Sequence, residues 1–217
     1  MRRVRKGLPH ENNKDKNMNI AVFASGRGTN FSAILRAIKN GSLKVNLALL
    51  VCDQPGAGVL SRARRGKVKI ALIKRSDYPD KAEFERKIID LLRDNKIDIV
   101  VMAGFMRVLS PDFVKEYKNR IVNIHPALLP SFKGVEGIKD AFSYGVKVTG
   151  VTVHIVDEEM DHGPIILQEP VKITEDDTLE SLEAKVHKAE HKLYPKAISL
   201  LAEGRLKFEG RKVRLVS

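Results

Sequence analysis

NIAVFASGRGTN, residues Asn19–Asn30, joins a short apolar run to a glycine-bearing loop, Gly26-Arg27-Gly28-Thr29-Asn30. The loop opens onto Phe31, Ile34, Leu35 and Ile38, whose i, i+3, i+4, i+7 spacing is one face of a helix, closed by Asn40-Gly41. Strand, glycine turn and helix make the first half of a βαβ unit. The fold is decided by whether the chain repeats it.

It does. Val45–Cys52 is a second apolar run, followed by a glycine-rich loop and a basic helix up to Gly66. Lys69–Ile73 is a third, leading to a helix with Phe84, Ile88, Leu91 and Leu92 on one face and an Asp80/Glu83 capping box at its start. Ile97–Met102 and Ile121–Ile124 are the fourth and fifth runs, with a short helix from Ser110-Pro111 between them. This alternation predicts an α/β fold: one domain with a Rossmann-like, doubly wound, mostly parallel sheet. The style then changes. Val148–Val156 alternates, and Ile165–Ile173 follows it as an antiparallel neighbour. A long helix over about Leu179–Glu203 stops at Gly204, and Leu206–Phe208 with Val213–Val216 reads as a small hairpin.

Composition bounds the function. The 217 residues are 43% hydrophobic and 30% charged, an ordinary globular mix. No apolar run approaches the roughly 18 residues of a membrane helix, so no membrane partner is expected. A single cysteine, Cys52, excludes an internal disulfide and a cysteine zinc cage, and fits a reducing, cytoplasmic setting. The net charge of +12 invites a nucleic-acid reading. Part of that excess is local, however, because Arg2, Arg3, Arg5, Lys6, Lys14 and Lys16 face only Glu11 and Asp15 in the first 17 residues. Residues 1–17 read as a basic leader, disordered or lying ahead of a native start at Met18. The remaining charge suits an anionic small molecule as well as a polyanion.

Four segments carry candidate chemistry. SGRGTN presents backbone N–H groups and a helix N-terminus to a single phosphate or carboxylate, or it is a tight turn whose glycines serve sterics alone. Neither a dinucleotide fingerprint nor a P-loop is present, since Phe31 takes the third glycine position and no GK[ST] follows. Ala103–Arg107 ends the fourth strand, beside the first at the switch point of such a sheet. There Arg107 can meet an anionic or planar ligand, with Met106 and Leu109 as an apolar wall, or these are an ordinary surface arginine and two core side chains. Asn123 and His125 end the fifth strand on one face, and Pro126 keeps His125 extended. An amide donor beside an imidazole can hold an oxyanion and move a proton. Finally, the loop Asp157–Pro164 packs Asp157, Glu158, Glu159 and Asp161 between two strands, and a carboxylate from it can orient His125. His154, Asp157, Asp161 and His162 are alternative metal ligands, as are His187 and His191 at i, i+4. Their spacing matches no standard site, and no metal is expected.

Taken together, NIAVFASGRGTN, AGFMRVLSP, NIHPALLPSFKG, HIVDEEMDHGPIILQ and EHKLYP, in that order, resemble the phosphoribosylglycinamide formyltransferase family from about Met18 to about Lys207. The resemblance implies a formyltransferase domain over residues 18–217 and a role in de novo purine biosynthesis. Its co-substrate would be 10-formyltetrahydrofolate and its acceptor glycinamide ribonucleotide, with no nucleic acid, membrane or metal, in a monomer or homodimer. It also implies residue roles. Asn123, His125 and Asp161 match the catalytic trio. Gly28, Thr29 and Asn30 match the motif holding the ribose phosphate, and His187, Lys188, Ala189 and Glu190 a helix segment touching the ribonucleotide. Met106, Arg107, Val108 and Leu109 match the lining of the folate pocket, Asn123 would also contact the folate, and the loop Asp157, Glu158, Glu159, Met160, Asp161 would cover its pteridine ring. Lys81 stands where many members have a folate-contacting arginine, keeping the charge but losing the planar fork.

Three alternatives stand beside this expectation. A formyltetrahydrofolate hydrolase would share the trio, but the phosphate cradle favours a ribonucleotide acceptor over water. Methionyl-tRNA formyltransferases resemble the chain only over their catalytic part. A basic nucleic-acid-binding protein, from a different class, would lack an aromatic stacking platform, with aromatics at 6% and no Trp.

Overall fold

The computed structural model describes residues 17–216, so the basic leader apart from Asn17 lies outside the described residues. Five strands, β1 (Met18–Phe23), β2 (Val45–Cys52), β3 (Ile70–Leu72), β4 (Ile99–Met102) and β5 (Ile121–His125), run parallel. β6 (Val148–Ile155) and β7 (Ile165–Lys172) complete the sheet antiparallel, in the order β3-β2-β1-β4-β5-β6-β7. The predicted doubly wound sheet is therefore present. The order reverses between β1 and β4, which pair directly, so the turns after these strands flank the switch-point crevice.

Helices α1 (Thr29–Lys39), α2 (Gly58–Gly66), α3 (Lys81–Asp94), α4 (Pro111–Glu116), α5 (Gly137–Tyr144) and α6 (Leu179–Ala202) cover both faces. Alternate residues of β1 feed two cores: Ile20 and Val22 pack with Phe31, Ile34 and Tyr194 on one face, Ala21 and Phe23 with Phe84, Ile88 and Phe113 on the other. The Asp80 carboxylate accepts from the Glu83 N–H at 2.8 Å, which forms one half of the expected box. β8 (Leu206–Glu209) and β9 (Lys212–Leu215) form the expected hairpin.

One local expectation changes. β6 does not alternate between core and solvent, for all its residues after Val148 are buried. Val151, Val153 and Ile155 face the core under α6. The opposite face is covered by the chain leaving β5: Thr152 Oγ1 donates to the Ala127 carbonyl at 2.7 Å and accepts from the Leu129 N–H at 3.0 Å. Hydrogen bonding allows a polar face to be buried without cost in unsatisfied groups. His154 shares that face.

Tyr194 ties the long helix to the sheet. Its hydroxyl, fully buried, lies 2.8 Å from the Met102 carbonyl and 3.0 Å from the Val122 carbonyl, bridging β4 and β5 one residue before Asn123. Burial pushes its phenol well above the ordinary tyrosine range, with the Glu190 charge acting the same way.

Candidate active site

Three of the segments lie at the C-terminal ends of β1, β4 and β5; the Asp157–Pro164 loop leaves antiparallel β6 beside Val122 and brings Asp161 back to His125. The antiparallel register sets Asn123 opposite His154 and His125 opposite Thr152. His125 is 3% exposed. Its Nε2 lies 2.7 Å from the Phe132 carbonyl and its Nδ1 3.3 Å from Asp161 Oδ2, so both ring nitrogens face acceptors. Only the protonated ring donates to both.

Asp161 reaches inward because the loop doubles back on itself. Its own φ is +48°, and Gly163 passes so close to β6 that a Cβ there would lie 1.8 Å from the Ile155 carbonyl oxygen. Only glycine permits that approach. Burial pushes the Asp161 carboxyl up, but hydrogen bonding to His154, the Gly134 N–H at 2.9 Å and the charge of His125 outweigh it, and the group sits below its ordinary value. The carboxylate stands between two histidines, with Oδ1 3.7 Å from His154 Nε2.

His154, considered above only as a metal ligand, belongs to this cluster. Its Nδ1 lies 2.9 Å from the Ile155 carbonyl and its Nε2 3.2 Å from Asn123 Nδ2. Nε2 thus faces both the Asn123 amide and Asp161, accepting from the amide when unprotonated and donating to the carboxylate when protonated; in either state the amide keeps an N–H without a partner. Cross-strand register was the signal for it, and the sequence does not display register. Among the described residues no group of three or more His, Cys, Asp or Glu is placed to hold a metal ion.

The rest of the acidic loop stands outward. Asp157 pairs with His162 at 2.8 Å and accepts from the Glu159 N–H at 3.2 Å, while Glu158, Glu159 and Met160 are exposed.

The second cluster lies at the start of α1. Gly28 has φ +75° and no room for a Cβ, which would meet the Val59 side chain at 2.6 Å. No acidic residue sits in the first turn of α1, so the positive end of the helix dipole at Thr29 and Asn30 has no compensating charge from the helix's own first turn. Asn30 Nδ2 donates to Glu190 Oε2 at 3.1 Å, and His187 Nδ1 lies 2.9 Å from the same oxygen. Glu190 is 4% exposed. Its hydrogen bond raises His187 above the ordinary histidine value against the opposing effect of burial. Asn30 Oδ1 is buried without a hydrogen-bond partner. Lys188 is exposed and Ala189 packs against the core, so neither joins this cluster.

The third cluster is a cavity of about 420 Å³ bounded by Arg75, Lys81, Phe84, Glu85, Phe105 and Met106–Leu109. It brings Lys81 from α3 to the segment after β4, as the resemblance implies. Met106 and Val108 are exposed, whereas Leu109 is buried. Arg107 is not free: its Nε lies 2.6 Å from Asp53 Oδ2 and its guanidinium 5.6 Å over the Phe84 ring. Arg75, Phe84, Glu85 and Phe105 went unread as lining. Phe84 was legible only as the core face of a helix, and Arg75 sits in a 3-10 turn without a motif.

Comparison with known proteins is consistent with this geometry. The formyl transferase family matches residues 18–198. Phosphoribosylglycinamide formyltransferase of Bacillus subtilis is 46% identical over 181 residues, 83% of this chain and 93% of that protein. The crystal structure of glycinamide ribonucleotide transformylase 1 from Symbiobacterium toebii superposes with a TM-score of 0.91 at 41% identity, covering 95% of this chain and 99% of the other. The transformylase 1 structure from Geobacillus kaustophilus gives 0.84 at 48% identity, over 86% and 99%.

Proposed function

The chain belongs to the formyl transferase family, and from that premise we propose that it moves the formyl group of 10-formyltetrahydrofolate to the amine of N1-(5-phosphoribosyl)glycinamide. The products are formylglycinamide ribonucleotide and tetrahydrofolate, in de novo purine biosynthesis. One observation carries the reading. The His125–Asp161 pair and Asn123 stand at one rim of the sheet, with an anion cradle on α1 and a cavity behind Met106–Leu109.

The roles follow from the bonds each group has left. The acceptor phosphate lies against the Gly28–Asn30 backbone, and the buried Asn30 Oδ1 takes a donor from the ribonucleotide beside Glu190. The folate occupies the cavity, its pteridine under the Asp157–Asp161 loop and its glutamate towards Lys81 and Arg75. The amine attacks the formyl carbon. His125 exchanges its Phe132 partner for the developing oxyanion, because Nε2–H is the one donor not aimed at Asp161. The free Asn123 N–H supplies the second donor. Asp161 stabilises the imidazolium, and the proton lost by the attacking amine returns through water to N10 as the C–N bond breaks. Proton count is unchanged over the cycle.

We take the enzyme to be cytoplasmic, which the single, unpaired cysteine fits, and to act on small molecules as a monomer or homodimer. No helix among the described residues is long and apolar enough to cross a membrane. The deciding experiment is formyl transfer from 10-formyltetrahydrofolate with and without glycinamide ribonucleotide. Turnover that requires the ribonucleotide supports the transferase; equal turnover without it makes the chain a hydrolase.

A further inference from the structure

Asp53 follows β2 directly with its carboxylate buried, only 2% of the side chain being exposed. A buried carboxylate persists only when donors replace its water. Here Oδ1 accepts from Ser25 Oγ at 2.6 Å and Oδ2 from Arg107 Nε at 2.6 Å, with Gln54 Nε2 further off at 3.4 Å. Ser25 Oγ in turn accepts from the Met106 N–H at 3.1 Å, and the Ser25 N–H donates to the Gly104 carbonyl at 2.9 Å. The segment after β4 is thus held at backbone and side chain by two residues, Ser25 and Asp53, that are not themselves in the cavity lining.

We propose that Asp53 is the positioning residue of the formyl-donor site. It holds the Arg107 guanidinium against Phe84 and, through Ser25, sets the backbone of Met106 and Arg107, so that the cavity wall is formed before folate arrives. This rests on the proposed function for the identity of the ligand. It also separates the cations of the cavity: Arg107 is neutralised by Asp53 and serves the wall, leaving Lys81 and Arg75 for the carboxylates of the ligand. Pre-formed walls appear in ligand affinity, because the ordering cost is met in advance.

The test compares Asp53→Asn, Arg107→Met and the double variant in the full chain. Steady-state kinetics in both substrates is paired with calorimetric binding of 10-formyltetrahydrofolate. Asp53→Asn should raise KM and Kd for the folate by about ten-fold, the scale of one lost charge-assisted hydrogen bond. The kcat should stay within about two-fold, since the reacting groups lie on other segments. Arg107→Met should do the same and the double variant no more, because both remove one interaction. Multiplying effects, or a fall in kcat with folate affinity intact, would overturn the proposal. Should Asp53→Asn fold poorly, Ser25→Ala removes only the link to the Met106 N–H and should raise the folate Kd by roughly three-fold; an unchanged value would overturn it too. If wild-type protein binds folate but transfers no formyl group, the proposed function fails while calorimetry still decides the role of Asp53. Wild-type protein that binds no folate overturns both.

Discussion

His125 Nδ1 lies 3.3 Å from Asp161 Oδ2, and the same oxygen accepts from the Gly134 N–H at 2.9 Å. His125→Ala and Asp161→Asn should each lower kcat by about 10²-fold or more while leaving both KM values within a few-fold, the loss expected for acid–base and oxyanion groups. Asp161 titrates below its ordinary 3.8, so its ionised form and the stability it contributes persist above that pH and fade only as pH falls through the lower folded value. Any acid limb in the rate profile above pH 3.8 therefore belongs to another group. Near-normal turnover in both variants removes the roles assigned here.

Glu190 holds His187 above its ordinary 6.5. A raised histidine value means that the pairing stabilises the fold fully below pH 6.5 and ceases to do so as pH rises through the folded value. Glu190→Gln should return the His187 imidazole titration towards 6.5 in an NMR experiment. The thermal stability gap between the two proteins should be widest on the acid side of neutrality and close above it. Because Glu190 also orients Asn30, the ribonucleotide KM should rise by roughly ten-fold.

Lys81 is half exposed and only 3.8 Å from Glu85, a weak pairing that leaves its charge for a ligand. Lys81→Ala should raise the folate KM by about five-fold, the upper end for an exposed charge. Arg75→Ala should act in the same direction, and Lys81→Arg should at least match wild type because it restores the planar fork. Substrate lacking the glutamate should be indifferent to all three.

Tyr194→Phe removes one buried hydroxyl from two carbonyls. The cost should be about 1 kcal/mol, or roughly 2–4 °C in Tm for a chain of this size, read by thermal denaturation. A further fall in kcat would show that Asn123 depends on the β4–β5 spacing the hydroxyl keeps.

Gly163→Ala places a methyl carbon on the Ile155 carbonyl, and a backbone atom cannot step aside as a side chain can. The loop must shift and carry Asp161 with it. The variant should lose activity to the level of Asp161→Asn while keeping the far-UV circular dichroism of the parent.

The local sequence determined most of the fold. Apolar runs with glycine turns and 3.6-residue periodicity specify strands and helices by short-range sterics and burial, so β1, α1, β2 and the C-terminal hairpin stand where periodicity places them. Asn123 and His125 were also legible, because two residues apart on a strand share a face whatever surrounds them. What lies across the sheet was not. His154 beside Asn123 depends on antiparallel register, Asp53 beneath Arg107 on three strands ending together, and the buried polar face of β6 on the chain that folds back over it. Register and layer packing are set by contacts between segments far apart in the chain, and no local pattern records which partner a buried carboxylate or imidazole will find.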